Sequence, residues 1–171
     1  MTITIQIDPI EELINEHKEV LGELALLEQN LRHLEKKTEF EDSDKEALSS
    51  WLDNFEKHIN LHIDKEDNVL FKALEKYMPS AGGPLQVMEI EHRSVENHIE
   101  QFQKGIRQGI ELKPGTLNQF CEVGFSMIDL LQAHLGKEEY ILFPMANNIL
   151  TAEDKQTIAA RYKEMNSLFG K

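Results

Sequence analysis

Four histidines stand where the apolar rhythm of four helical segments calls for leucine: His17, His62, His92 and His134. Two are followed one helical turn later by a glutamate, Glu66 and Glu138, in the pattern His-x-x-x-Glu. Burying a polar group without a partner costs about 2–7 kcal/mol, and a whole domain is stable by only about 5–15 kcal/mol. A chain with six such groups folds around them only if something inside satisfies them. A metal cluster does so most economically.

The segments themselves read clearly. Asp8, Pro9 and Glu11 form a helix start: an N-cap, a first-turn proline and a capping-box partner. From there Ile10, Leu13, Ile14, His17, Val20, Leu21, Leu24, Leu27, Leu31 and Leu34 keep a three-four spacing to about Thr38. Ser43 with Glu46 opens a second helix whose stripe is Leu48, Leu52, Phe55, Ile59, His62, Glu66, Val69, Leu70 and Leu74, ending near Tyr77. Breakers from Ser80 to Pro84 make a loop. A third helix carries Leu85, Met88, His92, Val95, Ile99, Phe102, Ile106 and Ile110, and stops at Lys113-Pro114-Gly115. A fourth runs from Thr116 through Phe120, Met127, Leu131, His134, Glu138, Ile141, Leu142 and Met145, with Pro144 expected to kink or end it. Thr151 and Asp154 cap a short fifth helix with Ile158, Tyr162, Met165 and Phe169 on its apolar side.

Long helices with short connectors predict an all-α fold, an up-down-up-down antiparallel four-helix bundle with a short extra C-terminal helix. It is expected as one domain over residues 1–171, the bundle at about 8–150 and the last helix at about 151–169. That helix is expected to cross one end or to supply an oligomer contact. The alternating TITIQI at the N-terminus lacks a partner strand and reads as an extended arm.

The bundle brings the oddities together. Helices rise about 1.5 Å per residue, and each histidine lies roughly twenty residues from a shared turn, so all four reach one layer. A histidine and a glutamate four apart stack on one helical face, which suits a nitrogen on one ion and a carboxylate reaching its neighbour. Imidazole with carboxylate suits iron, manganese or zinc, and the lack of thiolates disfavours copper(I) and iron–sulfur clusters.

Composition narrows the class. The single cysteine, Cys121, excludes an intramolecular disulfide framework and a thiolate zinc site, and fits a reducing cytoplasm. No apolar run is long enough for a membrane span, and MTITIQIDPI has no basic segment followed by an apolar one, so neither membrane nor secretion is expected. A net charge of −13 argues against a nucleic-acid partner. His33 and His98 fall outside the layer and read as surface. Glu16, Glu91 and Glu139 read as solvated helix charges, and Met88, Met127, Met145, Trp51, Phe55 and Cys121 as packing.

Glu16-His17, His62-Ile-Asp-Lys-Glu66 with Leu70-Phe71, Glu91-His92, and His134-Leu-Gly-Lys-Glu138-Glu139 with Leu142-Phe143-Pro144 together resemble a hemerythrin-like, HHE cation-binding domain, over about Pro9 to Asn148. The resemblance implies a left-twisted four-helix bundle around a non-heme di-iron centre, with two iron ions and an oxo or hydroxo bridge; zinc or manganese would fit the same donors. It implies Glu66 and Glu138 as bridges and His17, His62, His92 and His134 as terminal ligands. The family's oxygen carriers have a fifth histidine one turn after that of the third helix, where this chain has Glu96. An extra histidine, His58, lies one turn before His62. For His58 and Glu96 three roles stay open: seventh ligand, hydrogen-bond partner of a ligand, or surface.

Two functions follow. One is a di-iron protein that binds, senses or reduces a small ligand: oxygen, nitric oxide or peroxide. The other is an iron-handling or regulatory module, for iron sensing or iron–sulfur-cluster repair, whose fold responds to metal and which engages a protein partner or a second copy. Whether a reaction is catalysed stays open.

Overall fold

The structure is a computed structural model that describes residues 7–108 and 116–169. The arm expected at TITIQI and the expected end of the third helix at Lys113 lie outside the described residues. Among the described residues the secondary structure is entirely helical. The elements are α1 (Pro9–Leu34), α2 (Asp42–Lys65), a π-helical turn (Glu66–Leu70), α3 (Phe71–Leu74), α4 (Pro84–Gln108), α5 (Thr116–Lys137), a second π-helical turn (Glu138–Leu142), α6 (Phe143–Ile149) and α7 (Ala152–Leu168).

Local chemistry sets these boundaries. The Asp8 carboxylate accepts the Ile10 N–H at 2.9 Å, and Pro9 follows in the first turn of α1. The cap of α2 lies two residues before the expected Ser43. Glu41 is its N-cap, the Glu41 N–H donates to Asp44 at 3.0 Å, and Lys37 braces both carboxylates. Thr151 and Asp154 cap α7 reciprocally, as the sequence predicts.

The two π turns were not predicted. Each makes i→i+5 closures, inserts one extra residue into a long helix and rotates everything after it. After the second, Phe143 and Ala146 are buried while Ile141 is exposed and Met145 only half-buried. The expected stripe through Ile141 and Met145 is therefore displaced by one residue. Pro144 does not end the helix, which continues to Ile149. The first π turn has no proline after it, so proline is not their common cause; what the two share is a leading glutamate, Glu66 or Glu138.

The four long helices close into a ring of contacts, α1 beside α2 and α5, and α4 beside α2 and α5. The core is divided in two. One cluster gathers Val20, Leu24, Leu31, Phe55, Phe102, Phe120 and Leu131, and the other Ile10, Leu13, Phe71, Leu74, Phe143 and Tyr162. Each fully buried side chain of this size contributes about 1.5–3 kcal/mol, so both clusters hold the bundle and a polar layer is tolerated between them. Close approach of α5 to α1 and α4 requires Gly124, where a Cβ would meet Leu31 at 2.5 Å and Phe102 at 3.0 Å. The last helix, α7, lies against α1, α2 and the first π turn, with Tyr162 buried and Phe169 exposed, against the expectation for Phe169. No helix of the described residues is long and apolar enough to cross a membrane.

Candidate metal centre

Between the two apolar clusters lie His17, His62, Glu66, His92, His134 and Glu138, all at most 2% exposed. The helices place them as their spacing requires. His62 and Glu66, and His134 and Glu138, stand one turn apart on α2 and α5 with their π turns, while α1 and α4 contribute one histidine each. Nε2 of every histidine turns inward. His17 Nε2 is 3.1 Å from His62 Nε2 and 3.2 Å from Glu138 Oε2. His62 and His92 Nε2 lie 3.4 and 3.3 Å from the same Oε2 of Glu66, and His134 Nε2 lies 3.0 Å from Glu138 Oε1. The donors form two groups with ligand atoms within 4.8 Å of one another: His17, His62, Glu66 and Glu138, and then Glu66, His92, His134 and Glu138. Both glutamates belong to both groups.

Each outward nitrogen meets a carboxylate. His17 Nδ1 bonds Glu139 at 2.9 Å, His62 Nδ1 bonds Glu16 at 3.0 Å, His92 Nδ1 bonds Asp67 at 2.7 Å and His134 Nδ1 bonds Glu91 at 3.0 Å. With the proton held on Nδ1 by the carboxylate, the lone pair of Nε2 is left for the interior. The four bonds run round the bundle in a ring: α1 orients the histidine of α2, the first π turn that of α4, α4 that of α5, and the second π turn that of α1. The expectation that Glu16, Glu91 and Glu139 are merely solvated charges is thus corrected, and Asp67 was missed. Their signal is adjacency. A residue next to an inward ligand on a helix is rotated by about 100°, and so faces the neighbouring helix and its histidine.

The π turns have a second effect. Closing the ring at i+5 carries Phe71 and Phe143, each five residues after its glutamate, onto the histidine face. Phe71 stacks on His92 with centroids 5.8 Å apart, and Phe143 lies 5.2 Å from His17. These rings wall the centre from water, and π turns are frequent at functional sites for such local re-aiming.

Electrostatically the centre calls for a cation. Both oxygens of Glu66 and of Glu138, and Nε2 of His92 and His134, are buried without a hydrogen-bond partner among the described residues. Burial alone would push the His92 pKa down, yet Asp67, Glu138 and Glu66 raise it to about 12. Burial likewise opposes charge on His62 and His134, and carboxylates still raise both. Burial would raise the pKa of Glu138, but His134, His17 and His92 hold it well below the ordinary range. Such a nest of imidazole and carboxylate, free of thiolate, is a donor set for iron, manganese or zinc. The residues present therefore fit a pair of such ions.

The other residues singled out in the sequence lie elsewhere. His58 Nδ1 bonds Glu23 on α1 at 2.6 Å, not Glu96, which is exposed. Neither belongs to the two donor groups. His33 is exposed, and His98 bonds the Ser94 carbonyl at 2.7 Å within its own helix. Trp51, Phe55, Met88, Met127 and Cys121 are buried as packing.

Residues 8–146 match the hemerythrin HHE cation binding domain. The iron-sulfur cluster repair protein YtfE of Yersinia pseudotuberculosis serotype IB (strain PB1/+) is 30% identical over 137 residues, which are 76% of this chain and 59% of that protein. YtfE of Yersinia pestis is 29% identical over the same shares. YtfE of Salmonella schwarzengrund (strain CVM19633) is 30% identical over 104 residues, 58% of this chain and 47% of that protein. The chain thus spans less than two thirds of the length of these relatives.

Proposed function

The chain belongs to the hemerythrin HHE cation-binding domain family, and from that premise we propose that it is a non-heme di-iron protein that binds, senses or reduces a small ligand. The reading takes the four long helices as an up-down-up-down antiparallel bundle. Its metal ligands are His17, His62, Glu66, His92, His134 and Glu138. The observation that carries it is the sharing of Glu66 and Glu138 by two buried donor groups, each completed by two histidines. Shared carboxylates would place their negative charge within reach of both cations, where each unit of charge counts most in a low dielectric. When bound, iron would supply one-electron chemistry toward oxygen, nitric oxide or peroxide.

The protein's own part is positioning and exclusion. Carboxylates on Nδ1 fix the four rings, Phe71 and Phe143 keep water out, and the apolar clusters above and below make the layer rigid. A buried Cys121, whose thiol burial pushes up to about 11, suits a reducing cytoplasm. Purified chain reconstituted anaerobically with ferrous iron is expected to hold two ions by elemental analysis. Titration with oxygen, nitric oxide or peroxide should then produce visible absorption that metal-free chain lacks. A colourless protein that retains only zinc would sink this reading.

A second reading is favoured by the relatives named for iron-sulfur cluster repair. Here the chain handles iron, or signals its presence to a protein partner, and the fold responds to occupancy. Stranded buried ligands are destabilising, so metal and folding are coupled. The melting temperature is then expected to fall sharply with chelator, and no shift would refute this role.

A further inference from the structure

We infer that Lys65 is a positioning residue that makes the two ends of the centre unequal, the His17/His62 end holding its ion more tightly than the His92/His134 end; this rests on the two-ion reading above. Lys65 is fully buried, immediately before Glu66. Its ammonium donates to Glu12 at 2.7 Å and to Glu16, and lies 5.1 Å from the centroid of the Tyr162 ring on α7. Asn166 of α7 donates to the same Glu12 oxygen at 2.9 Å. The other oxygen of Glu16 receives His62 Nδ1. A chain of bonds, fully buried at Lys65, thus runs from α7 through Glu12, Lys65 and Glu16 to one ligand.

The opposite end has the same start and a different finish. Lys137, immediately before Glu138, donates to Glu91, which receives His134 Nδ1. Its side chain is 45% exposed. Four residues before Glu91, where Glu12 stands before Glu16, is Val87, itself exposed. An ammonium draws charge from the carboxylate it touches, which weakens the pull of that carboxylate on the imidazole. This happens at both ends and cancels. Burial and the number of partners do not cancel: water competes for Lys137, whereas Lys65 is held from three sides in a low dielectric. Glu16, and with it the His62 ring, is fixed; Glu91 and His134 have more freedom to turn away.

The test uses the full chain loaded anaerobically with ferrous iron, mixed with excess ferrous chelator and sampled over time for retained iron. Wild type is expected to lose its two ions in two phases. Lys65→Met should speed the slow phase about 10-fold to 100-fold, the usual loss when the support of a ligand is removed, and leave the fast phase unchanged. Lys137→Met should leave the slow phase unchanged. A merely structural defect would speed both phases together. Should Lys65→Met fail to fold, Glu12→Gln keeps the shape of the network and should shift the slow phase the same way by a smaller factor. Two ions released in one phase, or a slow phase indifferent to both variants, overturns the inference alone. A chain that loads fewer than two ions overturns the two-ion reading and this inference with it.

Discussion

The α1–α2 half and the α4–α5 half repeat one design around the centre. Each offers a Glu-His pair on its first helix, and on its second a Lys-Glu pair one turn after a histidine, an outward carboxylate next, and a phenylalanine five residues beyond the glutamate. Each second helix passes through a π turn beginning at that glutamate. The halves part only beyond the ligands' immediate partners. Lys65 is sealed beneath α7, and Lys137 faces water. Val87, Ile90, Tyr140 and Ile141 remain exposed on the half that α7 does not cover. What touches the ligands is held in common, so the likeness reflects the chemistry of the layer, whereas the covering helix gives each end its own surroundings.

The sharpest way to break this comparison is to remove what the halves share. On the two-ion reading, Glu66→Ala or Glu138→Ala would take one negative charge from between two cations and leave one carboxylate with four neutral imidazoles in a buried layer. Near-complete metal loss is expected in either variant, measured as iron per chain. If one of them keeps an ion, that glutamate serves a single half and the symmetry of the site is false.

Next in size is removal of a ligand that one half owns. His17→Ala opens a position in one donor group and leaves the other intact, and His92→Ala does the reverse. About one metal per chain is expected in each, by elemental analysis. His33→Ala and His98→Ala should change nothing, since neither approaches the layer. Metal loss in either would mean that the layer has been drawn through the wrong residues.

How much of this was legible follows from what interrupts a pattern. His17, His62, His92 and His134 stand out because imidazole breaks an apolar stripe, and helical rise alone brings them level. Glu16, Glu91, Glu139 and Asp67 interrupt nothing: in an acidic chain a glutamate beside a stripe looks like any solvated charge, and only the neighbouring helix reveals its partner. Lys65 was hidden for the same reason, since a lysine's burial depends on α7, far away in sequence. The π turns escaped because a constant helical period was assumed. Their trace was present in Phe71 and Phe143, apolar residues one step out of phase with Glu66 and Glu138.

Away from the centre the likeness of the halves fails, and a smaller effect tests where. Fourteen residues before Glu66 stands Leu52, but fourteen before Glu138 stands Gly124. In Gly124→Ala the new methyl would meet Leu31 at 2.5 Å within a filled core. Overpacking costs about 1–3 kcal/mol, and alanine returns about 1 kcal/mol of helix propensity. A net loss of roughly 1 kcal/mol is expected by denaturant unfolding, with iron content unchanged. A variant that also lost metal would show that the apolar end and the polar layer do not behave as separable regions.

The smallest effect concerns how the start of α7 is fastened to the end of the α1–α2 half. Asp154 accepts the Tyr77 hydroxyl at 2.6 Å, Lys76 at 3.0 Å and the Thr151 hydroxyl at 2.8 Å. These bonds, Tyr77 foremost, hold its carboxyl well below the ordinary range. A carboxylate with a lower pKa folded than unfolded stabilises the fold above its unfolded value of about 3.9. That contribution is lost as pH falls from there through the folded value. Asp154→Asn keeps the shape and removes the charge, so it is expected to melt slightly below wild type at pH 7. The gap should narrow once pH drops below about 4. Acid also protonates histidine ligands and strips metal, but it does so in both proteins, and the difference between them is therefore the readout rather than either melting temperature. A gap that persists unchanged into acid would mean that α7 is held by shape and apolar contact through Tyr162 and Ile158. Charge at its N-terminus would then have no part in placing α7 over one end of the centre.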